Sequence, residues 1–145
     1  MKKILLALSC IVIFGCSNTD DNNNCNFLLD VGVNLTVNTN FPQFSQLQFT
    51  GNSVYVSGYG NKGIWLYRAS SAILYAWDAA DPGVIPSSCS TLTDSGIGDI
   101  VVSGCDEANQ FSLATGLGLS DNSHSCTLLP YRVENIGNNT YLVSN

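Results

Sequence analysis

Three observations predict an antiparallel all-β fold. Apolar residues alternate with polar ones at a period of two, most clearly Leu29, Val31, Val33, Leu35 and Val37 against Asp30, Gly32, Asn34 and Thr36. Short apolar runs recur along the chain between Gly, Asn, Ser and Pro clusters of the kind that make turns. After the first sixteen residues no segment of helical length carries a 3.6-residue period. Many short strands at close spacing fit a sandwich or barrel. The chain has 145 residues and one core's worth of apolar sequence, which predicts one domain.

The elements follow in order. Phe27–Val37 reads as a half-buried first strand, and Phe41-Pro42 breaks it. Leu47–Phe49 and Ser53–Ser57 read as short strands around the turn Thr50-Gly51-Asn52. Gly58–Gly63 is a turn-rich link. Ile64–Arg68 and Ala72–Trp77 form a hairpin across Ala69-Ser70-Ser71. Ile97–Val102, Phe111–Leu113, Leu128–Glu134 and Tyr141–Val143 complete the set, and Ile136–Asn139 carries turn chemistry between the last two. Gly116-Leu117-Gly118-Leu119 precedes no helix and reads as a bend, not a phosphate cradle. Asp121–Cys126 has room for one helical turn.

The first residues set the expected location. Lys2 and Lys3 precede the apolar run Ile4–Phe14, which is too short to span a bilayer. The run ends in Ile13-Phe14-Gly15-Cys16, which resembles the lipobox of bacterial lipoproteins. That resemblance implies a signal peptide over 1–15, lipid on Cys16 and an outer-membrane anchor. Residues 16–26 then form a tether, because Ser17–Asn24 has no apolar residue to bury. Asp20-Asp21 resembles the acidic surface-export signals of Bacteroidetes lipoproteins, so both the periplasmic and the cell-surface face are open. The β domain occupies 27–145.

Charge and cysteines agree with a place outside the cytoplasm. Beyond Lys2 and Lys3, only Lys62, Arg68 and Arg132 are basic, against eleven acidic residues, a net of −8. Such a chain has no electrostatic footprint for nucleic acid. Cys10 leaves with the signal peptide and Cys16 takes the lipid. Cys25, Cys89, Cys105 and Cys126 remain, enough for two disulfides in any of three connectivities.

Candidate chemistry is sparse. Asp81, Asp99, Asp106 and Glu107 offer oxygen donors, but without the spacing of a known Ca²⁺ loop. Cys89 and Cys105 are too far apart for the close pairs of zinc sites. His124 is a lone loop histidine beside Cys126, and adjacency in sequence makes no catalytic pair. No enzyme is predicted. Trp65, Tyr67, Tyr75 and Trp77 alternate on two adjacent strands. Core packing is their default role; an exposed stripe would suit a glycan or protein partner.

Gly63–Arg68, Tyr75-Ala76-Trp77-Asp78, Ser87-Ser88-Cys89-Ser90, Phe111-Ser112-Leu113-Ala114-Thr115-Gly116 and Leu129-Pro130-Tyr131-Arg132-Val133 follow one another in that order. With them the chain, from Val31 to Val143, resembles Rieske-type domains, in particular the small Rieske-like lipoproteins of flavobacteria. It implies a Rieske-like antiparallel sandwich or barrel with a small loop subdomain. The family holds a [2Fe–2S] cluster with Cys-x-His in one loop and Cys-x-x-His in the other. Matched onto this chain, those positions are Asp81, Gly83, Ser103 and Asp106. The single histidine cannot supply two imidazoles, so no cofactor is expected. Some members carry an extra cysteine in each loop, joined as a disulfide; Cys89 and Cys105 match that pair, and Cys25 with Cys126 follows.

The expected function is therefore a cluster-less, lipid-anchored binding or structural protein of the envelope. Its partners would be the membrane, through the lipid, and an envelope protein or glycan. Electron transfer through an atypically ligated [2Fe–2S] cluster is the first alternative, and capture of a surface glycan or protein the second.

Overall fold

The computed structural model describes residues 25–120 and 126–145. The expected signal peptide, Cys16, most of the expected tether with Asp20-Asp21, His124 and the helical turn expected near Asp121 lie outside the described residues. Among those described, no helix is long and apolar enough to cross a membrane.

Nine strands are described: β1 (Asn34–Asn38), β2 (Ser53–Val56), β3 (Ile64–Arg68), β4 (Leu74–Asp78), β5 (Leu92–Asp94), β6 (Ile100–Ser103), β7 (Gln110–Ser112), β8 (Pro130–Gly137) and β9 (Thr140–Ser144). Six form one antiparallel sheet in the order β1-β9-β8-β4-β3-β2, and β5-β6-β7 form a second. The large sheet curls because β8 changes partner along its length. Pro130 and Tyr131 pair with β4, whereas Arg132 onward pairs with β9. The hairpin between β8 and β9 turns through Asn138 and Asn139, both at positive φ (53° and 56°), the backbone that tight hairpins of this hand require.

Two apolar clusters hold the sheets. The first fills the curl with Leu35, Val37, Ile64, Leu66, Leu74, Ala76 and Val143. The second lies between the outer face of β3–β4 and the small sheet, with Trp65, Tyr67, Leu92, Val101, Phe111, Leu113 and Leu128. β3 serves both, so all five residues of Ile64–Arg68 are buried. This explains its unbroken apolar run: a strand covered on both faces has no reason to alternate. Fully burying a side chain such as Leu66 or Phe111 contributes about 1.5–3 kcal/mol.

Three expectations need correction. Leu47–Phe49 is not a strand: Pro42–Gln48 forms a 3-10 helix. Proline suits its first turn, and Phe44 and Leu47, three residues apart, enter the core from the same side of a three-residue turn. The first strand covers only Asn34–Asn38, because β9 pairs no further than Asn34↔Ser144. Beyond that point the Asn145 side chain replaces the ladder. It accepts from Val33 N at 2.6 Å and donates to Val31 O and the Asp30 carboxylate. Leu29, in the stretch expected to be half-buried, is 69% exposed. Ile97 lies in the turn before β6 and is exposed, and β5 had no sequence signal of its own.

Candidate functional site

The small sheet and its loops pack on the C-terminal end of β4. Trp65 Nε1 donates to Leu92 O at 3.0 Å, and Trp77 Nε1 donates to Leu113 O at 2.8 Å. Each indole N–H is thus satisfied, with the Trp65 ring buried and the Trp77 ring half-buried. Gly116 meets the Trp77 ring so closely that a Cβ there would lie 2.7 Å from it. The aromatic stripe that a glycan would need is consequently not formed: Trp65 and Tyr67 are buried, and Tyr75 and Trp77 pack half-buried against the same cluster.

β4 ends in Asp78, which anchors the first loop. Its Oδ2 accepts from Tyr131 Oη at 2.6 Å, Asn61 N at 2.7 Å and Asn61 Nδ2 at 3.0 Å, and its Oδ1 accepts from Ala80 N at 2.8 Å. Four donors make a fully buried carboxylate tolerable. They also leave Tyr131 reluctant to ionise: burial, then its bond to Asp78 and that carboxylate's charge, raise its pKa far above the ordinary value.

The chain then runs through Ala79, Ala80, Asp81 and Pro82, all buried. Asp81 N donates to Ser90 O at 2.8 Å, closing the first loop on itself. Its carboxylate accepts from Gly83 N at 2.9 Å and from Asn109 Nδ2 at 3.0 Å. Asn109 belongs to the second loop, and its backbone carbonyl accepts from Ser103 N at 2.8 Å. Asn109 therefore joins the positions matched to the two ligand cysteines, Asp81 and Ser103, which are 0% and 4% exposed. Its Oδ1 is buried without a partner among the described residues.

The same loops are joined covalently. Cys89 and Cys105 form a disulfide, as the resemblance implies, and Gly104 N donates to Cys89 O at 3.0 Å beside it. Gly104 meets that carbonyl so closely that a Cβ there would lie 3.0 Å from it. Cys25 and Cys126 form the second disulfide, with Cys126 buried in the outer cluster. A Cβ on Gly83 would meet Asn109 Nδ2 at 3.2 Å, Asp81 Oδ1 at 3.3 Å and Cys126 Sγ at 3.5 Å, so Asp81, Gly83, Asn109 and Cys126 are one packed group.

The remaining acidic candidates do not join it. Asp106 and Glu107 are exposed at the tip of the second loop. Asp99 accepts from Ser112 Oγ and from Ala114 N at 3.0 Å, bracing the turn before β6 against the end of β7. Burial pushes the Asp99 carboxyl up, but these bonds outweigh it and hold the group below its ordinary range. Burial, with Asp99 nearby, raises the Tyr67 hydroxyl.

A Rieske-type cluster needs two thiolates and two imidazoles. The matched positions hold two carboxylates, a glycine and a serine, and all four described cysteines are disulfide-bonded. No group of three or more His, Cys, Asp or Glu residues able to hold a metal occurs among the described residues. The residues present do not fit the cluster. Sequence reasoning had no signal for Asn109, because nothing local distinguishes it from any polar loop residue.

No family model matches the chain, and no curated protein matches it. Among solved structures it is similar to a chain of the complex of reduced oxygenase and oxidized ferredoxin in carbazole 1,9a-dioxygenase. That similarity has 18% identity and a TM-score of 0.48, and covers 80% of this chain and 94% of the other. It is also similar to a protein described as the small subunit of an NADH-dependent nitrite reductase from Mycobacterium tuberculosis. There the identity is 19% and the TM-score 0.44, over 80% of this chain and 97% of the other.

Proposed function

We propose that this chain is a lipid-anchored, extracytoplasmic domain of Rieske-like architecture that works without an iron–sulfur cluster. It acts as a binding or structural accessory of the outer membrane, not as an enzyme. The observation that carries this reading is the interlock of the two loops. The Asp81–Asn109 hydrogen bond ties them together at a position where the family resemblance calls for a ligand, and the Cys89–Cys105 disulfide joins the same two loops. Loops bound to each other in this way keep their shape without a metal and present a rigid tip. Ile85, 70% exposed on the first loop, is the apolar side chain on that tip suited to a protein partner.

The test is iron and acid-labile sulfide per chain, with an absorption spectrum, on protein lacking the signal and with Cys16 replaced. It is prepared both anaerobically and from an oxidising compartment. The expected product is folded, colourless and iron-free from both. Near two irons and two sulfides per chain, with a visible charge-transfer band, would overturn the reading and restore electron transfer.

A further inference from the structure

At the end of the curled sheet opposite the loops, β3 finishes in Arg68, a residue only 3% exposed. Among the described residues no carboxylate pairs with it. Nε donates to Leu47 O at 2.6 Å and Nη1 donates to Tyr141 Oη at 3.0 Å, with the guanidinium carbon 4.8 Å from the centre of the Tyr141 ring. An arginine has five N–H donors and stays charged at any physiological pH. Two are used, which leaves both on Nη2 and one on Nη1 without an acceptor among the described residues. The Tyr141 hydroxyl accepts from Arg68 and keeps its own hydrogen free to donate.

Arg68 and Tyr141 border a cleft of about 270 Å³ whose other lining residues are Thr39, Asn40, Gln48, Ser71 and Asn139. The lining contains no acidic residue. A buried cation without a counter-charge is costly, and here that cation is part of the wall of a polar cleft. We propose that this cleft binds a small carboxylate monoanion, gripped by the free Arg68 N–H groups and the Tyr141 hydroxyl, with Asn40 and Ser71 at the mouth. The planar pair of Nη atoms matches a carboxylate's two oxygens. The negative field of the whole chain favours a monoanion over a phosphate dianion. The site lies at the far end of the sheet from the interlocked loops and stands or falls independently of the proposed function.

The test is a titration of the ¹⁵N-labelled full chain in detergent micelles, following the Arg68 Nε–H and backbone resonances of residues around the cleft. The additions are sodium acetate, inorganic phosphate and sodium chloride at matched ionic strength. Saturable shifts with acetate that chloride does not reproduce are expected. Ser71 is exposed and bonds to none of the described residues, so Ser71→Asp leaves the structure intact while placing a like charge at the mouth. It should weaken acetate binding by about tenfold, the size of one close charge in a partly wet site. Shifts that follow chloride alone, saturation by phosphate and not acetate, or unchanged affinity in Ser71→Asp would each overturn the proposal.

Discussion

Removing the two disulfides separately should reveal which holds the fold and which only shapes the loops. Cys25–Cys126 closes a separation of 101 residues, and Cys89–Cys105 closes 16 inside it. In the chain-entropy model the first contributes about 4.7 kcal/mol and the second about 3 kcal/mol. Cys126 is also 3% exposed within the outer apolar cluster, whereas Cys89 is exposed. Cys25→Ala/Cys126→Ala therefore loses packing as well as the constraint, so the gap of about 1.7 kcal/mol is a lower bound. Since a domain's whole stability is about 5–15 kcal/mol, the outer pair's removal should bring the chain near its unfolding threshold. Loss of the inner pair should leave a clear native baseline. The assay is equilibrium urea unfolding of wild type and both double variants under oxidising conditions, followed by tryptophan fluorescence. An inner pair that costs as much as the outer pair, at equal m-values, would refute the assignment of Cys25–Cys126 as the main staple.

Three further outcomes follow from the bonds around the loops. Tyr131→Phe removes one of four donors to buried Asp78 and should cost about 1.5–3 kcal/mol at neutral pH. Because the folded-state pKa of Tyr131 is raised, its contribution is complete below the ordinary tyrosine value of 10.0 and is lost as pH rises above it; the gap between wild type and variant in urea unfolding should narrow there. Asp81→Ala strips Asn109 of its one side-chain partner and should cost about 1–3 kcal/mol in thermal unfolding, whereas Asp106→Ala, at an exposed position, should stay within about 0.5 kcal/mol. Gly116→Ala forces a side chain onto a φ of +74° and into the Trp77 ring. It should destabilise by at least about 1–2 kcal/mol and shift the Trp77 indole N–H resonance.

The period of two in Val33, Leu35 and Val37 predicted their burial correctly, because alternation is a local property of an extended chain. It failed at Leu29, because alternation does not say whether a neighbouring strand is present to cover it. Ser53–Ser57 and Tyr141–Val143 were legible for the same local reason, and Ile64–Arg68 as a short apolar run bounded by turn residues. Leu47 was misread because a 3-10 turn and a short strand both offer one apolar residue to a core, and only Phe44 three residues earlier distinguishes them in space. At the loops, Asp81 and Ser103 could be singled out by their place in the resemblance. Asn109, which binds both, could not, since its role depends on a contact across 28 residues. Arg68 read as an ordinary strand end, and nothing in its neighbours in sequence announces a buried guanidinium over Tyr141, 73 residues away.

By itself the sequence determined the all-β class, the expectation of two disulfides from four remaining cysteines, and the shortage of imidazoles for a Rieske-type cluster. Each is a matter of composition or of period along a strand, and none needs to know which residues meet. Only the tertiary structure decided that the tryptophan faces of β3 and β4 lie under the small sheet, that Asn109 locks Asp81, and that Arg68 borders a polar cleft. Burial and pairing of this kind are relations between distant segments, and their energy exists only once the curled sheet brings those segments within reach.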